Sequence, residues 1–199
     1  MACFPLGRTA GQKTHELLYN NPGFPARGAP SGPAARAAAP RHHQAPKGKQ
    51  TMPTHTIRLH RVLRAPPERI YRAFLDAGAL AKWLPPHGFT CTVHQLDATV
   101  GGAYRMSFTN FSTGHGHSFG GKYLELVPNQ RLRHTDEFDD PNLPGEMVTT
   151  VALKQVSCGT EVSIVQEGVP AVVPPEACYL GWQDSLAQLG LLVEAVVPE

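Results

Sequence analysis

Arg64-Ala-Pro-Pro-Glu-Arg-Ile-Tyr-Arg-Ala-Phe-Leu-Asp-Ala-Gly-Ala-Leu-Ala-Lys-Trp-Leu84 decides the fold. Pro66 and Pro67 open a helix, because first-turn N–H groups need no intrahelical partner. Ile70, Phe74 and Leu75 then recur at helical spacing, with Glu68, Arg69 and Arg72 on the other side. Gly78 breaks the run, and Leu80, Trp83 and Leu84 restart it. The reading is a strand end, a short helix, a break and a second short helix.

Outward from this pair, Ile57, Leu59 and Leu63 alternate as a first strand over 56–63. Further strands are predicted at 89–97, 102–110, 117–127, 130–138, 146–156 and 160–167, in the patterns of an antiparallel sheet. Gly101-Gly102 and Gly120-Gly121 are expected to supply positive φ or a bulge, Pro128-Asn129 a tight turn, and 141–145 a looser one. Pro174 and Pro175 start a last helix with Trp182, Leu186, Leu189, Val193 and Val196 on one stripe. Helices segregated from a run of strands imply the α+β class.

Several of these segments carry a resemblance. The helix pair, Leu96–Arg105, Gly121–Leu132, Thr150–Leu153, Gly159–Ile164 and Gly181–Leu189 occur in an order that resembles one known family. It is the family of activators of the ninety-kilodalton heat-shock chaperone's ATPase, within the START-like (SRPBCC) superfamily. The resemblance runs from about Thr54 to Val196 and is more specific for fold than for function. It implies a helix-grip fold: a curved seven-stranded antiparallel sheet wrapped around the long C-terminal helix. Such folds commonly leave an internal cavity.

Period-two reasoning predicts what lines that cavity. Tyr104, Met106 and Phe108 share one strand face, Leu132, His134, Asp136 and Phe138 another, and Met147, Val151 and Leu153 a third. Val162, Ile164 and Gln166 complete an apolar face with three polar intruders, His134, Asp136 and Gln166. A buried polar group is costly unless paired. These three, with Tyr104, therefore either orient a ligand's polar atoms or satisfy one another. His134 and Asp136 also have the composition of a general-base pair, without an accompanying nucleophile or metal. Trp83 and Trp182 are core anchors whose indole N–H groups need partners, and either suits the cavity mouth. The expected ligand-binding set is Trp83, Tyr104, Met106, Phe108, His134, Asp136, Phe138, Met147, Val151, Gln166, Trp182 and Leu186. No catalytic residue, metal ligand or cofactor is expected.

Other constellations are better explained blandly. His115-Gly-His117 lacks a third ligand and reads as a Gly-rich surface turn. The acidic run 136–140 lacks the oxygen-ligand spacing of a calcium loop and reads as a hairpin end. There is no phosphate-cradling glycine loop and no G-x-S-x-G.

Composition divides the chain near Met52. Residues 1–51 hold seven Lys/Arg and one acid, whereas 52–199 hold eleven and fifteen. The small positive total thus averages two unlike parts and supports no nucleic-acid partner. The first segment is rich in Pro, Gly and Ala, cannot support a core and is expected to be a disordered basic extension. An upstream-assigned start, a targeting peptide and an anion-binding arm all remain open for it. The resemblance implies that residues 52–199 form a START-like domain. No apolar run reaches membrane-spanning length. The four cysteines are scattered without a C-x-x-C pair, which suggests a reduced, cytoplasmic protein.

Three functions follow as expectations. The first is non-catalytic binding of a small hydrophobic or amphipathic molecule. The second, implied by the family's name, is stimulation of the chaperone's ATPase in a stress response; against it, the additional N-terminal domain of the eukaryotic activators has no counterpart here. The third is cyclase- or hydrolase-like cavity chemistry, as in some members of the superfamily.

Overall fold

The structure is a computed structural model, and it describes residues 53–196. The expectations for the basic extension, residues 1–51, lie outside the described residues. Strand β1 (Thr54–Leu63) leads into α1 (Pro67–Ala73) and α2 (Ala77–Trp83). Then come β2 (Phe89–Leu96), β3 (Ala103–Asn110), β4 (Gly116–Val127), β5 (Arg131–Phe138), β6 (Glu146–Val156), β7 (Gly159–Pro170) and α3 (Pro175–Val193). The strands form one sheet in the order β1-β7-β6-β5-β4-β3-β2, antiparallel at each pairing. The α+β helix-grip expectation is met: a curved sheet, two short helices after the first strand, and a C-terminal helix.

Because β1 and β2 are the two sheet edges, the α1–α2 segment must carry the chain from one edge to the other. Its local chemistry fits that route. Pro67 sits in the first turn of α1, and Asp76 accepts from the Ala79 N–H at 2.7 Å to start α2. Trp83 is fully buried, packs edge-on against Phe74 at 4.8 Å, and donates its indole N–H to the Ala73 carbonyl at 2.8 Å. That bond satisfies a carbonyl at the end of α1 and locks the two helices together.

Helix α3 is held from several directions. Ser185, fully buried, donates to the Leu84 carbonyl at 2.6 Å, and Gln188 donates to the Pro85 carbonyl. Arg69 donates to the Val193 and Ala195 carbonyls, closing the helix C-terminus with a cation. Trp182, Leu186, Leu189 and Val193 are buried along one stripe, as expected. Val196 departs from it: the helix ends at Val193 and Val196 is exposed, because nothing beyond the last turn continues the 3.6-residue repeat.

Two further expectations change. Gly120 and Gly121 lie within β4, as the predicted strand 117–127 has them, but neither has a positive φ. His117 is not in a surface turn. It is a half-buried β4 residue ringed by Phe89, Phe108, Phe119 and Phe138 at centroid distances of 5.8–6.5 Å. The tight turn does fall where expected: Asn129, between β4 and β5, has φ 62°. Cys91 and Cys158 are free thiols. Among the described residues no helix is long and apolar enough to cross a membrane.

Candidate functional site

Alternation places Tyr104, Met106 and Phe108 of β3, and Leu132, Asp136 and Phe138 of β5, on the buried face of the sheet. His134 joins them with 14 % of its side chain exposed. Residues Met147, Thr149 and Val151 of β6 and Ile164 and Gln166 of β7 are fully buried there too. Against this face, between sheet, α1–α2 and α3, lies a void of about 30 Å³. It is lined by Phe74, Leu80 and Leu84 from the helical segment, by Trp182 from α3, and by β3–β5 residues including Phe119 and Tyr123. That is room for roughly one or two water molecules.

The polar residues on the wall form a connected set. The Tyr104 hydroxyl donates to Asp136 Oδ1 and lies 2.7 Å from the Thr135 carbonyl oxygen. Thr149 Oγ1 donates to Asp136 Oδ2 at 3.0 Å. His134 Nδ1 lies 3.1 Å from the Tyr104 hydroxyl, 3.3 Å from Asp136 Oδ2 and 3.4 Å from the Thr135 carbonyl. The carboxylate and the carbonyl only accept, so the partners assign the ring proton to Nδ1. Asp136 therefore sits fully buried without an orphaned oxygen, which is the condition for keeping it there.

The backbone makes this set possible. Tyr104 is on β3 and Asp136 on β5, with β4 between them. Tyr104 pairs with Gly121, and the β4–β5 register passes from Gly120–Glu137 to Tyr123–His134. In the gap, Lys122 N–H donates to Thr135 Oγ1 at 3.1 Å, and the Thr135 carbonyl is left for Tyr104. A Cβ on Gly121 would stand 1.9 Å from that carbonyl oxygen. Only glycine lets the strands approach this closely here.

Gln166 is not part of this set. Its Oε1 accepts from the Trp182 indole N–H at 2.9 Å, and its Nε2 lies 3.7 Å from Met147 Sδ. The three polar intruders thus form two groups: one centred on Asp136, and one joining α3 to β6 and β7. Of the twelve expected site residues, Tyr104, Met106, His134, Asp136 and Trp182 line the void. Trp83, Phe108, Phe138, Met147, Val151, Gln166 and Leu186 are buried around it in the core. Sequence reasoning missed Thr149, which shares the period of Met147 and Val151, and Phe119 and Tyr123, whose strand face it left unassigned.

Electrostatics follow from enclosure. Burial, reinforced by the Asp136 carboxylate, holds the Tyr104 phenol well above its ordinary range, so it is a donor at neutral pH. Burial pushes His134 below the ordinary histidine range, partly opposed by Asp136, and burial also lowers His117. Unfolded histidines take up protons near pH ~6.5, the folded ones only at lower pH, so the unfolded chain binds more protons in between. Stability is therefore full above that pH and falls as the pH is lowered through this window. The melting temperature is expected to drop on acidification from about pH 7.5 to 5, and His134→Phe is expected to flatten the drop. An identical profile in the variant would show that His134 titrates alike in both states.

Among the described residues no group of three or more His, Cys, Asp or Glu is placed to hold a metal ion. Residues 64–194 match the family model described as Activator of Hsp90 ATPase homolog 1-like protein. A crystallised protein from Chromobacterium violaceum is 65 % identical, with a TM-score of 0.70 over 71 % of this chain and 98 % of that one. A Rhodobacter sphaeroides crystal structure is 23 % identical, with a TM-score of 0.62 over 68 % of this chain and 90 % of its own. A solution structure from Staphylococcus epidermidis is 17 % identical, with a TM-score of 0.58 over 72 % and 92 %. The latter two likenesses concern the fold alone. No curated protein matches the chain.

Proposed function

This chain belongs to the Activator of Hsp90 ATPase homolog 1-like family, and on that premise we propose that it binds a small hydrophobic or amphipathic molecule between its sheet and α3. The observation that carries the reading is a void bordered by Phe74, Leu80, Met106, Phe119 and Trp182 on which Tyr104, His134 and Asp136 also open. An apolar enclosure with a few convergent polar groups is the usual constitution of a small-molecule site. Two parts of the void's wall have different freedom. The sheet side is tied by the strand ladders and the Asp136 hydrogen bonds. The side formed by Phe74, Leu80 and Leu84 belongs to two seven-residue helices and their C-caps, held by single hydrogen bonds such as Tyr123 to the Phe74 carbonyl and Ser185 to the Leu84 carbonyl. A guest larger than one or two waters has to displace that second side and offset the hydrogen bonds from Ser185 and Tyr123 that hold it.

The test is a thermal-shift screen of amphipathic small molecules on wild type, His134→Phe and Asp136→Asn. Hits at this site are expected to stabilise wild type and to bind the variants more weakly by about 1–3 kcal/mol, the cost of an unpaired polar contact. Hits that stabilise all three proteins equally place recognition away from this wall. The family's name carries a second reading, stimulation of the heat-shock chaperone's ATPase, which an ATPase assay with purified chaperone decides.

A further inference from the structure

His134 presents its two ring nitrogens unequally. Nδ1 is enclosed by three oxygens, those of Tyr104, Thr135 and Asp136. Among the described residues no hydrogen bond reaches Nε2. Yet the residue lines the void and 14 % of its side chain stays accessible. No buried side-chain nitrogen or oxygen among the described residues lacks a partner, so Nε2, which has none, is itself accessible. With the proton on Nδ1, Nε2 keeps its lone pair and can only accept.

From this we infer that the site selects a guest whose polar end is a hydrogen-bond donor, an apolar molecule of the phenol or alcohol class received by Nε2 of His134. The inference rests on the cavity-binding reading above and adds the polarity of the guest. Among the described residues the donors on the wall are already committed, the Tyr123 hydroxyl to the Phe74 carbonyl at 3.4 Å. The Tyr104 hydroxyl has given its one proton to the Asp136–Thr135 side, and both Asp136 oxygens accept from within the protein. The wall is thus left with acceptors and no uncommitted donor among the described residues, and the imidazole nitrogen Nε2 of His134 is the strongest of those acceptors. A guest ending in a carbonyl or carboxylate would set lone pair against lone pair, which is a repulsive contact as well as an unpaired one. The ring of Tyr123, at 6.1 Å and edge-on to His134, and those of Tyr104 and Phe119 favour an aromatic body behind the donor.

Phenol, toluene and benzaldehyde separate the possibilities, because they share a ring and differ in the polar end. Calorimetric titration uses the full chain at neutral pH. In a purely apolar cavity toluene binds better than phenol, since the hydroxyl leaves water without recompense. Here phenol is expected to bind at least as tightly as toluene and about tenfold more tightly than benzaldehyde. His134→Phe is expected to weaken phenol about tenfold and to leave toluene within about threefold. An imidazole nitrogen-15 spectrum of wild type supplies a readout independent of any variant's folding. Nε2 of His134 should show the shift of an unprotonated ring nitrogen and move with phenol but not with toluene. Toluene binding tenfold above phenol, or a protonated Nε2, overturns the donor inference and leaves cavity binding intact. Failure of all three rings to bind overturns the cavity reading itself, and the donor inference with it.

Discussion

Trp182→Ala is expected to lower the unfolding free energy by about 3–5 kcal/mol. The ring is 1 % exposed on the α3 stripe, so its removal vacates the space between helix and sheet. The indole N–H is also the donor that Gln166 Oε1 accepts from at 2.9 Å, so the same change breaks a hydrogen bond between α3 and β7. Trp182→Phe separates the two effects: it keeps most of the packing and is expected to cost roughly 1–3 kcal/mol. Chemical denaturation of both variants measures this directly. A near-neutral Trp182→Ala would mean that α3 does not close the core.

Gly121→Ala is the second large effect, and it acts through backbone geometry. The added methyl would lie 1.9 Å from the Thr135 carbonyl oxygen and 2.6 Å from its carbon. Neither atom is the end of a flexible side chain, so β4 and β5 must separate. Separation breaks the Lys122–Thr135 hydrogen bond and moves the carbonyl that faces Tyr104. The expected loss is roughly 3 kcal/mol or more, at the upper end for overpacking. It should come with a weakened hold on Asp136, visible as an altered Tyr104 environment in near-ultraviolet spectra. A variant as stable as wild type would show that the two strands spread at Thr135 without resistance.

The two predictions differ in how visible their causes were in the chain. Trp182 was legible: Pro174 and Pro175 announce a helix, and Leu186, Leu189 and Val193 repeat on its face. The inner faces of β3, β5 and β7 were legible for the same kind of reason, since alternation alone separates Tyr104 from Arg105 and Asp136 from Glu137. Gly121 was placed within the predicted strand 117–127, but adjacent glycines suggested positive φ or a bulge there and interrupt the alternation, and the inner face of β4, with Phe119 and Tyr123, went unassigned. Thr149 had the right period but is small and polar between Met147 and Val151. His117 was masked by flanking glycines that suggested a turn, when those positions begin and extend β4.

What the sequence by itself determined was periodicity: which residues lie on a helix stripe or on one face of a strand, where prolines start helices, and that these pieces fit one family's order. Those properties follow from local geometry, repeated every 3.6 or every 2 residues. What only the tertiary structure decided was partnership. Tyr104 meets Asp136 across an intervening strand, Gln166 turns to Trp182 instead of to His134, and the space left over is about 30 Å³. Strand periodicity says that two side chains share a face, but not their distance across it. That distance is set by register and bulge, and the size of the void by how α1, α2 and α3 settle on the curved sheet.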